Sequence, residues 1–216
     1  MIAVALLTCD RYDYTRRTLE TFAQHNDLSR FHLLHADDAS TDPRIVPLVQ
    51  SYGFTTVCHQ RTRRGWLHTR TWLMKTAVKV APWVLNLEND IETARPFPWD
   101  LFRFIAKNGS NISSLRLYGR FKDRERRDAC LTRFKGTKYQ NASSHEVQWR
   151  PLRNAPEASQ VGYIHWSAQP SVTRTEEVLE HHLAKSHLRG WTVRVKKNVM
   201  FHIGQERTQP LEEVAC

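Results

Sequence analysis

The chain has 216 residues, a formal net charge of +10 and 40% hydrophobic residues, a composition typical of one globular domain with a buried core. No apolar run approaches the roughly 20 residues that cross a bilayer. The apolar start, residues 1–8, lacks the basic leader and cleavage site of a signal peptide. The four cysteines are far apart and form no CxxC or Cys/His pair, which argues against a disulfide scaffold and a zinc site. We therefore expect a soluble cytoplasmic protein without membrane insertion.

Apolar periodicity predicts alternating strands and helices in the first half of the chain. The second helix is predicted with Asp42 as its N-cap and Gly53 as its stop. Such alternation predicts an α/β fold with a mixed, mostly parallel sheet and helices on both faces. Residues 115–163 have poor periodicity, and we expect only loops and short strands there. The predicted elements are strand 2–7, helix 14–25, strand 31–36, helix 43–52, strand 54–58, helix 66–80 and strand 83–87.

Polar clusters follow three of these strands, at the ends where open α/β sheets bind ligands. We expect the three clusters to meet at one edge of the sheet. The alternative is that single acids only cap the next helix, and it stays open for Asp10 and Asp42. The clusters are Thr8–Arg11 after the first strand, Asp37–Asp38 after the second and Glu88–Asp90 after the fourth.

Positive charge is concentrated in residues 116–153, which we call the basic segment. It carries eleven basic residues against four acids, a surplus of seven, with five aromatic residues interleaved. Such a surplus favours a polyanionic partner such as nucleic acid, anionic glycan or lipid headgroups. Aromatic side chains among basic ones are typical of sites that stack on bases beside backbone phosphates. A solvated loop region is the alternative.

Five motifs in order resemble the nucleotide-sugar glycosyltransferases of the GT-A fold, closest to the family-two group. They are LLTCDRYDYTRRTL, HADDASTD, RTRRGWLHTRTWLMKTA, LNLENDIE and LRGWTVRVKKNVMFHIG. The resemblance implies a single Rossmann-like GT-A domain over residues 1–216, with a nucleotide-sugar-binding half at 1–92 and an acceptor-binding half at 93–216. It also implies a hexosyl- or pentosyltransferase that moves a sugar from a nucleotide sugar, above all a UDP-sugar, to a hydroxyl group.

The resemblance assigns donor binding to the first two clusters. It implies that Asp38 holds the base or the ribose, whose N–H and O–H groups a carboxylate accepts. The Thr8 backbone and Arg11 would line the same pocket, and Asp10 belongs to the same donor-binding set. Asp37 ranks below Asp38, because it also suits a tie between the strand end and its own loop.

Arginines after the third strand match a region in which an arginine of such enzymes helps bind the donor. The matching residues are Arg64 and Arg70. Arg61 and Arg63 equally suit phosphate contact or plain surface charge.

A divalent cation, Mn²⁺ or Mg²⁺, is implied by the resemblance, because the diphosphate leaving group needs its charge neutralised. Asp90 of the E-x-D triplet matches the metal ligand. His202 matches a late histidine that completes the metal or diphosphate site. Glu88 stays open between the metal, its water shell and the sugar hydroxyls, and Asn89 departs from the usual acidic middle residue.

A general base for the acceptor hydroxyl comes, in many similar enzymes, from an E-D pair ahead of a helix that ends in G-W. The segment RTEEVLEHHLAKSHLRGW places Glu180 close to that pair, with His181 where the second carboxylate is expected. Glu176 and Glu177 remain candidates. All four residues also suit an ordinary amphipathic helix, and without a base a retaining mechanism stays open.

The basic segment leads to the hypothesis that the acceptor is a hydroxymethylated base in viral double-stranded DNA, flipped out of the stack. For such a viral protein we expect the host cytoplasm as its location. Glycan, lipid and protein acceptors are the alternative. A different class of function is a non-catalytic nucleic-acid or anion-binding module with a decayed donor site, which Asn89 and His181 favour. A nucleotidyltransferase is a weaker option, because no Gly-rich phosphate loop follows the first strand.

Overall fold

The computed structural model describes residues 1–108, 112–117, 150–151, 160–162, 171–175, 178, 191–194 and 199–203. A single turn of 3-10 helix, Leu28–Arg30, precedes the second strand. The strands and helices, in chain order, are β1 (Ile2–Thr8), α1 (Tyr12–His25), β2 (Phe31–Asp37), α2 (Ile45–Ser51), β3 (Thr55–His59), α3 (Trp66–Val80), β4 (Trp83–Glu88), β5 (Ile91–Thr93), α4 (Trp99–Asn108), β6 (Ile112–Arg116), β7 (Arg150–Pro151), β8 (Gln160–Gly162), β9 (Ser171–Arg174), β10 (Trp191–Arg194) and β11 (Met200–His202).

The strands form one large mixed sheet and one small sheet. The order of the large sheet is β3-β2-β1-β4-β9-β6-β10-β8-β7. Its first four strands are all parallel, whereas β9 runs antiparallel to both β4 and β6. Strands β5 and β11 pair antiparallel in the small sheet. The predicted α/β fold with a mixed, mostly parallel sheet is confirmed.

Strand β1 lies at the centre of the parallel half and is buried along its whole length. Its alternate side chains reach two separate cores. Ile2, Val4 and Leu6 pack with residues of α1, α2 and α4, while Ala3, Ala5 and Leu7 pack with α3. Burial on both faces explains why residues 2–7, IAVALL, are an unbroken apolar run instead of an alternating one. The predicted placement of helices on both faces is confirmed.

The predicted elements within residues 2–87 are confirmed, with ends that shift by at most two residues. The predicted N-cap of the second helix is wrong, because α2 begins only at Ile45 and follows Arg44. Asp42 instead accepts a hydrogen bond from the Arg44 backbone N–H at 3.0 Å and pairs with its guanidinium at 2.6 Å. The Asp42 carboxylate therefore braces the turn before the helix.

The second half of the chain is described only in short pieces. Strands β6, β7 and β8 lie within residues 112–162, and most of the basic segment lies outside the described residues. The predicted division into donor and acceptor halves stays a prediction. None of the described helices is long and apolar enough to cross a membrane.

Replacing Leu85 by alanine tests the assignment of the larger core. Leu85 is fully buried in β4 and belongs to that core, so Leu85→Ala should lower the free energy of unfolding by about 2–5 kcal/mol. The matched control is Leu67→Ala, because Leu67 is 53% exposed on α3 and its loss should cost less than about 0.5 kcal/mol. Urea unfolding followed by circular dichroism measures both. Equal losses in the two variants would contradict this core assignment.

Candidate functional site

The carboxyl ends of β1 and β2 are tied together through Asp37. This residue is fully buried, and a buried carboxylate is costly unless hydrogen bonds satisfy it. Its oxygens accept from the Thr8 hydroxyl at 2.6 Å, the Ser40 N–H at 2.8 Å and the Ser40 hydroxyl at 2.5 Å. Both oxygens thus face groups of the protein itself. These contacts correspond to the structural role that the sequence left open for Asp37 beside ligand binding.

A buried histidine, His35, continues this network below Thr8. The single hydroxyl proton of Thr8 goes to Asp37, so its oxygen accepts from His35 Nε2 at 2.8 Å. The other ring nitrogen, Nδ1, then accepts from the Thr56 hydroxyl at 3.0 Å. Burial lowers the pKa of His35 to about 4, although the Asp37 charge acts in the opposite direction. The imidazole is therefore neutral at pH 7 and fixed in one tautomer.

Asp38 points into the space between β2 and the start of α3, and is only 2% exposed. Its Oδ1 accepts from the Arg64 backbone N–H at 3.0 Å and from the Thr69 hydroxyl at 2.8 Å. Its own N–H donates to the Thr8 carbonyl at 2.9 Å. Within the described part of the chain, Oδ2 has no hydrogen-bond partner. Asp38 is thus positioned by three segments, through its Oδ1 and its backbone N–H.

The loop after β1 has an unusual backbone. Asp10 and Arg11 have φ angles of 54° and 62°, a left-handed conformation that is uncommon outside glycine and is often found at functional sites. The Asp10 carboxylate accepts from the Thr41 N–H at 2.7 Å and hydroxyl at 2.9 Å, and its N–H donates to the Ser40 hydroxyl at 2.7 Å. The contacts of Asp10 therefore brace two loops against each other.

Arg63 pairs with the remaining oxygen of Asp10 at 2.5 Å. Partial burial acts to raise the pKa of Asp10, but the hydrogen bonds from Thr41 and Arg63 outweigh it, so the pKa is lowered. The sequence analysis left Arg63 between phosphate contact and surface charge. The structure gives it a specific partner at the edge of the sheet, with a side chain that is still 52% exposed.

The predicted metal ligand, Asp90, forms an ion pair with Arg11. Arg11 Nη1 lies 3.0 Å from Asp90 Oδ2, so the third cluster meets the first one as predicted. Asn89, between Glu88 and Asp90, donates to the Asp10 carbonyl at 3.0 Å and to the Thr15 hydroxyl at 3.3 Å. Asn89 therefore joins the turn after β4 to the loop after β1.

The two arginines predicted to contact the donor differ in burial. Arg70 is 1% exposed, and its guanidinium lies 4.6 Å from the Trp66 ring centroid. Burial lowers the pKa of Arg70 to about 10, while the charge of Glu88 at the end of β4 acts in the opposite direction. Arg70 thus stays protonated at pH 7. Arg64 is exposed, and its contact with Asp38 comes from its backbone.

The predicted ligand His202 lies in β11, opposite Ile91 of β5 in the register of the small sheet. The N–H of Ile203 donates to the Asp90 carbonyl at 2.8 Å. The backbone therefore brings positions 90 and 202 next to each other, and the role of His202 as a ligand stays a prediction. The predicted catalytic residues Glu176, Glu177, Glu180 and His181 lie outside the described residues.

The residues present fit a divalent cation of one particular kind. Among the described residues, no group of three His, Cys, Asp or Glu side chains could hold a metal by itself. Mg²⁺-type sites, however, are often built from one or two carboxylates together with the phosphates of the substrate. The Asp90 carboxylate supplies hard oxygen ligands of this type. The site therefore suits a cation that is shared with a diphosphate.

Two open grooves of the described surface, of about 420 and 520 Å³, lie elsewhere. One lies where β2 and β3 begin and includes Phe31 and Thr55, and the other lies along α1 beside Glu92. Neither includes Asp38 or Asp90. The candidate site is thus defined by converging polar groups at the sheet edge, not by either groove.

Several supporting residues escaped sequence analysis. His35 shows one signal, a histidine inside an otherwise apolar strand. Thr69 and Thr41 show none, because a threonine on a helix or in a loop is ordinary. Asn89 was noticed only as a departure from an acidic motif, whereas its amide donates to the Asp10 carbonyl, a contact that a carboxylate could not make.

Comparison with solved structures identifies the fold class as GT-A, the fold of nucleotide-sugar glycosyltransferases. TarS 1-349 of S. aureus is 17% identical, with a TM-score of 0.58 over 93% of this chain and 60% of that one. Its complex with UDP gives 16% identity and a TM-score of 0.56 over 93% and 59%. GalNAc-T7 with UDP, GalNAc and Mn²⁺ is 11% identical, with a TM-score of 0.60 over 100% of this chain and 46% of that one. The predicted GT-A fold is confirmed.

This chain spans less than two thirds of the length of these similar structures. No protein-family model matches it, and no curated protein matches its sequence. At such low identities the likeness establishes the fold alone.

The buried His35 predicts a specific dependence of stability on pH. Between about pH 6.5 and pH 4 the unfolded chain binds a proton at this residue and the folded chain does not, so stability falls as the pH falls. The loss reaches roughly 3 kcal/mol by pH 4. Urea unfolding at several pH values should show that His35→Gln removes this part of the slope. His68→Gln, at an exposed position of α3, should keep it, and an unchanged slope in His35→Gln would refute the assignment.

Proposed function

We propose that the chain is a glycosyltransferase that moves a sugar from a nucleotide sugar, a UDP-sugar in the first instance, to a hydroxyl acceptor. The observation that carries the proposal is the Asp38 carboxylate, with Oδ1 held by Arg64 and Thr69 and Oδ2 left for a ligand. A carboxylate oxygen accepts from the N–H of a uracil-like base or from a ribose hydroxyl. The GT-A fold supports this proposal, as does the presence of UDP in two of the similar structures.

Positive charge at the same edge supports binding of the diphosphate part of the donor. Arg11 lies in the loop after β1 and pairs with Asp90, and Arg63, from the loop between β3 and α3, pairs with Asp10. Guanidinium groups bind phosphate oxygens in a bidentate geometry. Asp90 would hold a divalent cation, Mn²⁺ or Mg²⁺, together with the donor phosphates, with His202 next to it along the backbone pairing. Such a cation supplies neutralisation of the negative charge on the leaving group.

The proposed reaction is a substitution at the anomeric carbon of the sugar. The acceptor oxygen becomes bonded to this carbon, the bond from the carbon to the diphosphate oxygen breaks, and the nucleoside diphosphate leaves with the electron pair. The hydroxyl proton needs a base in an inverting reaction. Glu176, Glu177, Glu180 and His181 remain the candidates on sequence grounds.

Changing Asp38 to asparagine tests the nucleotide site. Asp38→Asn keeps an acceptor for Arg64 and Thr69 but puts an N–H donor in place of Oδ2, so it should face the donor groups of the ligand unfavourably. We expect UDP binding in the presence of Mn²⁺, measured by isothermal titration calorimetry, to weaken at least about tenfold.

The control is Asp42→Asn in the same acidic run, since Asp42 braces the turn before α2. It should bind UDP as the unchanged protein does. Wild-type affinity in Asp38→Asn, or no binding of UDP, ADP or GDP by the unchanged protein, would count against the proposed site.

For the acceptor we propose a hydroxymethylated base in double-stranded DNA. The basic segment, with a charge surplus of seven and interleaved aromatic residues, supports contact with phosphates and bases. The alternatives are a glycan, lipid or protein acceptor. A non-catalytic nucleic-acid or anion-binding module with a decayed donor site is the alternative of a different class.

Incubation with a panel of sugar nucleotides and either hydroxymethylated or plain DNA tests the acceptor. Nucleoside mass spectrometry should detect the added sugar only on hydroxymethylated DNA, and DNA binding should weaken steeply with salt. DNA binding without transfer and without UDP binding would favour the module. Transfer to a glycan but never to DNA would refute the DNA acceptor.

A further inference from the structure

The Arg11–Asp90 ion pair occupies the carboxylate on which the proposed metal site depends. We propose that Arg11 is an internal competitor of the divalent cation at Asp90, so that metal and nucleotide bind cooperatively. This inference rests on the proposed function, because it concerns the same donor site. It concerns how two cations, the Arg11 guanidinium and a divalent metal, share two anions, the Asp90 carboxylate and a diphosphate.

The pair differs from an ordinary surface ion pair in its burial. The Asp90 side chain is 9% exposed and that of Arg11 is 33% exposed, with 3.0 Å between Nη1 and Oδ2. Exposed pairs contribute little because water and salt screen them. Here the carboxylate is largely removed from water, so its interaction with a cation is stronger.

The backbone on both sides holds the two side chains face to face. Arg11 is at the start of α1, where its carbonyl accepts from the Thr15 N–H at 3.0 Å and hydroxyl at 3.1 Å. On the other side, Asn89 donates to Thr15 and to the Asp10 carbonyl. The turn that carries Asp90 is therefore tied to the same helix start as Arg11. Their encounter is set by these two tied segments.

A divalent cation at Asp90 Oδ2 would compete with the Arg11 guanidinium, since both are positive and use the same oxygen. The affinity of the nucleotide-free protein for the metal is then reduced by the fraction of molecules in which Arg11 is paired. A diphosphate offers Arg11 alternative oxygens in a bidentate geometry. Nucleotide binding thus releases Asp90 for the metal, and by linkage the metal raises the affinity for the nucleotide by the same factor.

Titration of the full chain with Mn²⁺ alone, followed by the electron paramagnetic resonance signal of the free ion, tests the competition without any activity assay. Arg11→Gln should bind Mn²⁺ about five- to tenfold more tightly than the unchanged protein. The matched control is Arg17→Gln, which removes the same charge from α1, the helix that Arg11 directly precedes. Arg17 pairs with Glu92 at 2.6 Å, two residues from Asp90, and its loss should change Mn²⁺ affinity much less.

A second titration, in the presence of UDP, separates competition from a general charge effect. A charge effect shifts Mn²⁺ affinity equally with and without nucleotide, whereas competition makes the gain caused by UDP smaller in Arg11→Gln than in the unchanged protein. Asp90→Asn should abolish the protein-bound Mn²⁺ both with and without UDP.

Equal Mn²⁺ affinities of Arg11→Gln and the unchanged protein would overturn the inference, as would an equal gain from UDP or the absence of Asp90-dependent Mn²⁺ binding. None of these results removes UDP binding by the unchanged protein, which is measured in its own titration. Failure of that separate titration would instead count against the proposed function.

Discussion

A carboxylate with no exposure to water determines how the carboxyl ends of β1 and β2 are arranged. Asp37 is ionisable and fully buried, and such a group is tolerated only when donors surround it. Its donors are Thr8, at the end of β1, and Ser40, in the loop after β2. The two strands must therefore end side by side, and the loop must fold back over them. The positions of Asp10 and Asp38 follow from this arrangement.

The acidic residues at the end of β2 and in the loop after it thus bond mainly to other groups of the protein. Asp37 accepts hydrogen bonds from Thr8 and Ser40, and Asp42 braces the turn before α2. Asp38 divides its carboxylate, one oxygen holding Arg64 and Thr69 in place and the other available to a ligand. In the proposed nucleotide site, an oxygen that is supported in this way would need little reorganisation on binding, which is the advantage of a preorganised site.

The fold of the first half was predictable because β1, β2 and β4 are largely buried apolar runs and because its helices have a regular apolar face. The short strands β5 and β11 were not, since three residues carry no measurable periodicity. At the site, the meeting of the three polar clusters followed from the general geometry of parallel sheets. The pairing of Arg11 with Asp90 did not, because it depends on left-handed backbone at Asp10 and Arg11, for which the sequence offers no glycine as a signal.

Asn89 stands where an acidic residue is common in similar motifs, and its contacts give that choice a local cause. Its amide nitrogen donates to a carbonyl of one loop and to a hydroxyl of one helix. An aspartate would offer only acceptors to the same carbonyl and would add a third negative charge beside Asp10 and Asp90. The Asp10 carbonyl therefore favours asparagine over aspartate as the middle residue of the triplet. Asn89, which departs from the acidic residue of similar motifs, thus anchors the turn that carries Asp90 to the loop after β1 and to the first helix.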